Sequence, residues 1–174
     1  MLKYILLVSI LIFSACSNKE IKISENTKIY KNKYYKQLLE KCSLNSNELD
    51  CSNRNITDND LLMINFSQFT EIEKIDLSNN NLNKIPDSIS YMYNLKELDL
   101  SNNNINYPDI ICSTMFNLKT LDLSNNGVKV FNTDIFLNSN LEEINLKNND
   151  LKYINSLIMK IKNIKLDKDV KIGG

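Results

Sequence analysis

The chain has 174 residues, enough for one domain with its own core plus a leader and a tether. Lys plus Arg and Asp plus Glu number 21 each, a formal net charge of zero, which argues against a basic nucleic-acid binder and against an acidic tail protein. His is absent, and with it the commonest general base and the commonest transition-metal ligand.

Residues 1–16 read MLKYILLVSILIFSAC, with Lys3 ahead of an apolar run from Tyr4 to Phe13 and small residues Ser14 and Ala15 behind it. That run is shorter than the roughly 20 residues a bilayer span needs, so an export signal is expected over 1–15. Phe13-Ser14-Ala15-Cys16 resembles a bacterial lipobox, with Phe13 where Leu is usual. The resemblance implies lipid attachment at Cys16, a polar tether over 16–27 that begins Ser17-Asn18-Lys19-Glu20, and an exported protein anchored at the cell envelope. Ser17 after the cysteine points, by resemblance to the sorting rule of two-membrane bacteria, to the outer membrane or cell surface. Residues 17–41 carry seven Lys and three Glu, which suits either plain solvated chain or a tether lying near anionic lipid.

Ile29 to Cys42 places apolar residues at 30, 34, 35, 38, 39 and 42, the pattern of an amphipathic helix. A capping helix is expected over 28–45.

From there the sequence repeats. Ile72, Ile75, Leu77, Asn80 and Leu82 recur as Leu95, Leu98, Leu100, Asn103 and Ile105. They recur again as Leu118, Leu121, Leu123, Asn126 and Val128, and as Leu141, Ile144, Leu146, Asn149 and Leu151. The starts at 72, 95, 118 and 141 define a period of 23 residues. The pattern LxxLxLxxNxL resembles the leucine-rich repeat family. The resemblance implies an α/β solenoid over 46–172, with a curved parallel sheet on its concave face behind the N-terminal capping helix. A degenerate copy, Glu48-Leu49-Asp50-Cys51-Ser52-Asn53-Arg54, precedes the four good ones, and a fading copy follows at Ile161, Ile164 and Leu166.

The x-L-x-L segment reads as a short strand whose alternate residues point inward, so Leu77, Leu100, Leu123 and Leu146 are core positions. Asn80, Asn103, Asn126 and Asn149 are expected to form a ladder that satisfies backbone groups in the sharp turn after each strand. Pro86 and Pro108 favour short helical turns over long helices in the remainder of each coil. There the buried positions are expected at Ile85, Ile89 and Met92, then Cys112 and Met115, Phe131 and Ile135, and Ile154, Leu157 and Ile161. Lys160, Lys162, Lys165, Lys168 and Lys171 interleave with apolar residues at the far end, as guards on an edge strand or as a basic contact patch.

The cysteines Cys42 and Cys51 are either bridged, which an exported protein permits, or two buried small hydrophobes. The outward strand positions align Asp76, Asp99, Asp122 and Asn145 in one column. They form the candidate binding face, read either as generic repeat surface or as an acidic contact stripe. No phosphate loop, metal-spaced cluster or nucleophile–base pair is visible, so no enzyme activity, cofactor or metal is expected. The expected function is recognition of a protein or glycan partner through the concave face, with the membrane reached through Cys16 and no nucleic acid bound. The alternative is a structural or assembly lipoprotein of the cell envelope without a soluble ligand.

Overall fold

The computed structural model describes residues 33–108, 115–133 and 140–173. Helix α1 spans Lys33–Lys41 and leads into a hairpin of β1 (Ser43–Asn45) and β2 (Glu48–Asp50). Then follow α2 (Asp58–Leu61), β3 (Lys74–Asp76), β4 (Glu97–Asp99), β5 (Thr120–Asp122), β6 (Glu143–Asn145), β7 (Tyr153–Asn155), β8 (Asn163–Lys165) and β9 (Lys171–Gly173). Seven strands form one sheet in the order β1-β2-β3-β4-β5-β6-β8, antiparallel only between β1 and β2. The chain is thus wound as a solenoid in which each coil contributes one three-residue strand.

The strands are short because only one residue of each is flanked by outward-facing neighbours before the chain turns. Leu49, Ile75, Leu98, Leu121 and Ile144 occupy the strand centres and are buried. Leu77, Leu100, Leu123 and Leu146 follow them into the same core. The far sides of the coils close it with Ile89 and Met92, Met115, Phe131, and Ile158. There the chain runs in single 3-10 turns at Phe66–Gln68, Asp87–Tyr91 and Ser156–Lys160. Pro86 caps the second of them with its fixed backbone angle. Cys112 and Ile135 lie outside the described residues. In the last coil Ile158, not Leu157, is fully buried, because the 3-10 turn begins at Ser156 and rotates its neighbour out.

The N-terminal cap differs from a helix running to residue 45. It ends at Lys41, and Ser43–Asn45 turns back through Ser46-Asn47 to pair with β2. Pairing satisfies the backbone groups that the first coil would otherwise leave open at the sheet edge. Leu38 packs on the core, Lys41 pairs with Asp60 of α2 at 2.7 Å, and Cys42 is joined to Cys51 by a disulfide. At the other end the chain returns after β8 so that β9 pairs with β7 in a separate two-stranded sheet. Asp167 accepts the Asn148 N–H at 2.8 Å, closing the last turn.

Candidate functional site: the outer face of the sheet

Each turn after a strand is built the same way. The first residue of an Asn-Asn pair, Asn79, Asn102, Asn125 or Asn148, sits at φ between 54° and 58°. Asn tolerates this left-handed region better than other side-chain-bearing residues. The second Asn enters the core. The Asn103 amide donates to the carbonyls of Leu77, Leu100 and Ser101 at 3.0, 3.1 and 3.3 Å, and its oxygen accepts the Leu82 N–H at 3.0 Å. Asn126 and Asn149 repeat this, accepting from Ile105 and Val128, although both are only half-buried. Asn80 accepts two N–H groups, those of Arg54 and Ile56, and so ties the first coil although Arg54 fills that coil's own ladder position.

A second ladder, which the repeat pattern did not suggest, runs along the opposite end of the strands. Asn94 donates to the Thr70 carbonyl at 2.8 Å, Asn117 to that of Tyr93 at 2.7 Å, and Asn140 to that of Phe116 at 2.7 Å. Its signal was present: an Asn stands immediately before Leu95, Leu118 and Leu141.

Between the ladders lies the outer face. The sheet register brings Asp50, Asp76, Asp99, Asp122, Asn145 and Lys165 into one column. The first task of these carboxylates is local. Asp50, Asp76, Asp99 and Asp122 each accept the backbone N–H two residues on, from Ser52, Ser78, Ser101 and Ser124, at 2.8–2.9 Å. Asn145 accepts Lys147 in the same way at 3.2 Å, so the turn needs an oxygen there but no charge.

The column also carries field. No Lys or Arg pairs with Asp76, Asp99 or Asp122 among the described residues; the ion pairs run beside it. Lys74 pairs with Glu48 at 3.0 Å, Lys96 with Glu73 at 2.7 Å, and Lys119 with Glu142 at 3.4 Å. Burial pushes the Asp99 carboxyl up from the usual carboxylate range, and the charges of Asp122 and Asp76 add to the shift against its Ser101 bonds. Asp50, at the column's end, is held below that range by its backbone and hydroxyl bonds to Ser52.

One depression lies on the far side of the first coils and another along the edge ahead of the later strands. A cleft of about 360 Å³ opens where α2 overhangs the next coil, lined by Leu61, Leu62, Met63 and Pro86. A shallower groove lies at the far end, lined by Asn117, Lys119, Asn140, Glu142, Lys160 and Lys162. Among the described residues no group of His, Cys, Asp and Glu could hold a metal ion, and no helix is long and apolar enough to cross a membrane. Cys16 lies outside the described residues.

A solenoid of stacked, single-strand coils with an ordered outer sheet face is the architecture of a repeat-built binding scaffold. The Leucine Rich Repeat family model matches residues 71–92, 94–114 and 117–138, three consecutive coils of this array. These coils are leucine-rich repeats, a module whose general role is protein interaction. A search of curated proteins finds no match for the chain.

Proposed function

We propose that this chain is an extracytoplasmic recognition protein, anchored in the membrane through Cys16, that binds a protein or glycan partner with the outer face of its sheet. The carboxylate column carries this reading. Asp76, Asp99 and Asp122 stand on adjacent strands and form no ion pair among the described residues, so their fields add over the surface, diluted by Lys74 and Lys165 nearby. The partner's contacting surface is accordingly basic, or rich in donors in the case of a glycan. The lipobox resemblance supports the anchor, which places the array outside the cytoplasm.

The test is replacement of Asp76, Asp99 and Asp122 together by Asn. Asn145 already keeps its turn with an amide oxygen, so the variant should fold. Stability should even rise at neutral pH. Asp99 has a folded-state pKa above the unfolded value, so its ionised form carries a penalty above that raised pKa; the penalty fades as pH falls toward the ordinary 3.8. The gain over the unmutated chain should therefore disappear in acid. Capture of surface proteins and glycans should weaken, mainly through association rate, and the loss should shrink at high salt. A charge-matched control changes Glu40 to Gln and Asp87 and Asp150 to Asn, all exposed and off this column. Equal loss in the control, or none in either, rejects the face as the binding surface. Absence of a captured partner, with Cys16-dependent fatty-acid labelling retained, would instead favour the structural lipoprotein.

A further inference from the structure

The sheet register aligns more than the acidic column. Tyr93, Phe116 and Met159 occupy one row, each the same distance ahead of its strand, and they are 60, 50 and 63% exposed. Ser139, their counterpart in the coil between, lies outside the described residues. The second Asn ladder grips the backbone carbonyls of Tyr93 and Phe116, so the backbone that carries these two rings is fixed before they meet anything. Immediately beside it runs a row of lysines.

In that row Lys96 and Lys119 are neutralised by Glu73 and Glu142. The pairing leaves the end of the array in surplus. Lys162 has its nearest acidic counterpart, Glu142, already taken, and Lys160 stands where the previous coils carry the ladder Asn. Neither lysine forms an ion pair among the described residues, and both line the groove with Asn117 and Asn140.

We infer that this edge of the array, Tyr93, Phe116 and Met159 beside Lys160 and Lys162, rests on an anionic phospholipid surface. Rings and thioether enter the headgroup layer, where an amphipathic ring is favoured. The lysine stems lie along the apolar row while their ammonium groups meet lipid phosphates. An acidic protein would satisfy the lysines but leaves the exposed apolar row uncovered. None of the residues named belongs to the carboxylate column, so the two proposals fail separately.

The test uses the full chain carrying Cys16→Ala, so that no acyl chain is added, in co-sedimentation with vesicles of phosphatidylglycerol or of phosphatidylcholine. The leader and the Lys-rich tether are common to every variant, so the loss caused by the edge substitutions, and not the lipid preference itself, isolates the edge. Phosphatidylglycerol should be preferred, and the preference should fall as salt is raised. Lys160→Gln with Lys162→Gln should weaken binding to phosphatidylglycerol by about tenfold or more, from roughly fivefold for each basic residue near an anionic surface. Phe116→Ser with Met159→Ser, both exposed and dispensable to the core, should weaken it as well. Lys129→Gln with Lys147→Gln, exposed lysines that follow the strands instead of preceding them, should leave it unchanged. No preference between lipids, or equal loss in that control, overturns the inference. So does binding of poly-glutamate that depends on Lys160 and Lys162 but not on Phe116 and Met159, which would assign the edge to an acidic polypeptide.

Discussion

Asn80→Ala is expected to cost about 4 kcal/mol of unfolding free energy, Asn103→Ala about 2, and Asn81→Ala under about 0.5. The ranking follows from which backbone groups are left without any partner. When Asn103 is truncated, the Leu77 carbonyl keeps its bond from Asn80, that of Leu100 keeps Asn126, and that of Ser101 keeps the Asn79 N–H. Only the buried Leu82 N–H is orphaned. When Asn80 is truncated, the N–H groups of Arg54 and Ile56 both lose their acceptor, and the Cys51 carbonyl loses its donor. Asn81 has an exposed side chain, and its backbone bond to Ile56 survives the change. Urea unfolding of the three variants checks the order. A larger loss at Asn103 than at Asn80, or equal losses at Asn80 and Asn81, would show that orphaned donors do not set the cost.

Much of this could be read in the sequence because a solenoid repeats its burial with its chain. A Leu or Ile that is core in one coil is core 23 residues later, so four copies fix which alternate residues face in, and the outer column from Asp76 to Asn145 follows from the same phase. What escaped has other physical origins. The second ladder is made by side chains reaching backbone carbonyls of the neighbouring coil, and an Asn ahead of a Leu looks like ordinary polar surface until the coils are stacked. The left-handed turn residue is likewise a backbone property, although the recurring Asn-Asn pair is its trace.

The two ends were harder, since each happens only once. The helical spacing of apolar residues runs through to Cys42, which masks the stop at Lys41 and the three-residue strand behind it. The pairing of β7 with β9 joins the far side of the fourth copy to a Lys-rich tail that carries no clear repeat signal. On the outer face, the strand phase aligned the carboxylates and left them as either repeat surface or a contact stripe, while the structure shows each carboxylate first holding its own turn. Binding and folding thus share the same atoms there, and the Asp-to-Asn exchange separates them because it removes the charge and keeps an acceptor for each turn, at the cost of the Asn145 amide's bond to Asp122.

The second large effect lies at the N-terminal cap. Cys51 is fully buried at the position that Leu77 and Leu100 fill in later coils, and its bridge to Cys42 closes a short loop of sequence separation 9 around the β1–β2 hairpin. Constraining a loop of that length in the unfolded chain contributes about 3 kcal/mol. Cys42→Ala with Cys51→Ala should therefore lower the unfolding free energy by about that amount, and dithiothreitol should do the same to the unmutated chain. The reductant should have no further effect on the double variant. Repeat arrays couple mainly to their neighbours, so the damage should begin locally. Hydrogen exchange should accelerate at the amides of Leu49 and Cys51, which pair within the cap and with β3, well before it does at Leu121 in the middle of the sheet. If the unmutated chain unfolds identically with and without reductant, the bridge contributes nothing, and the cap is held by Leu38, the Lys41–Asp60 pair and strand pairing alone.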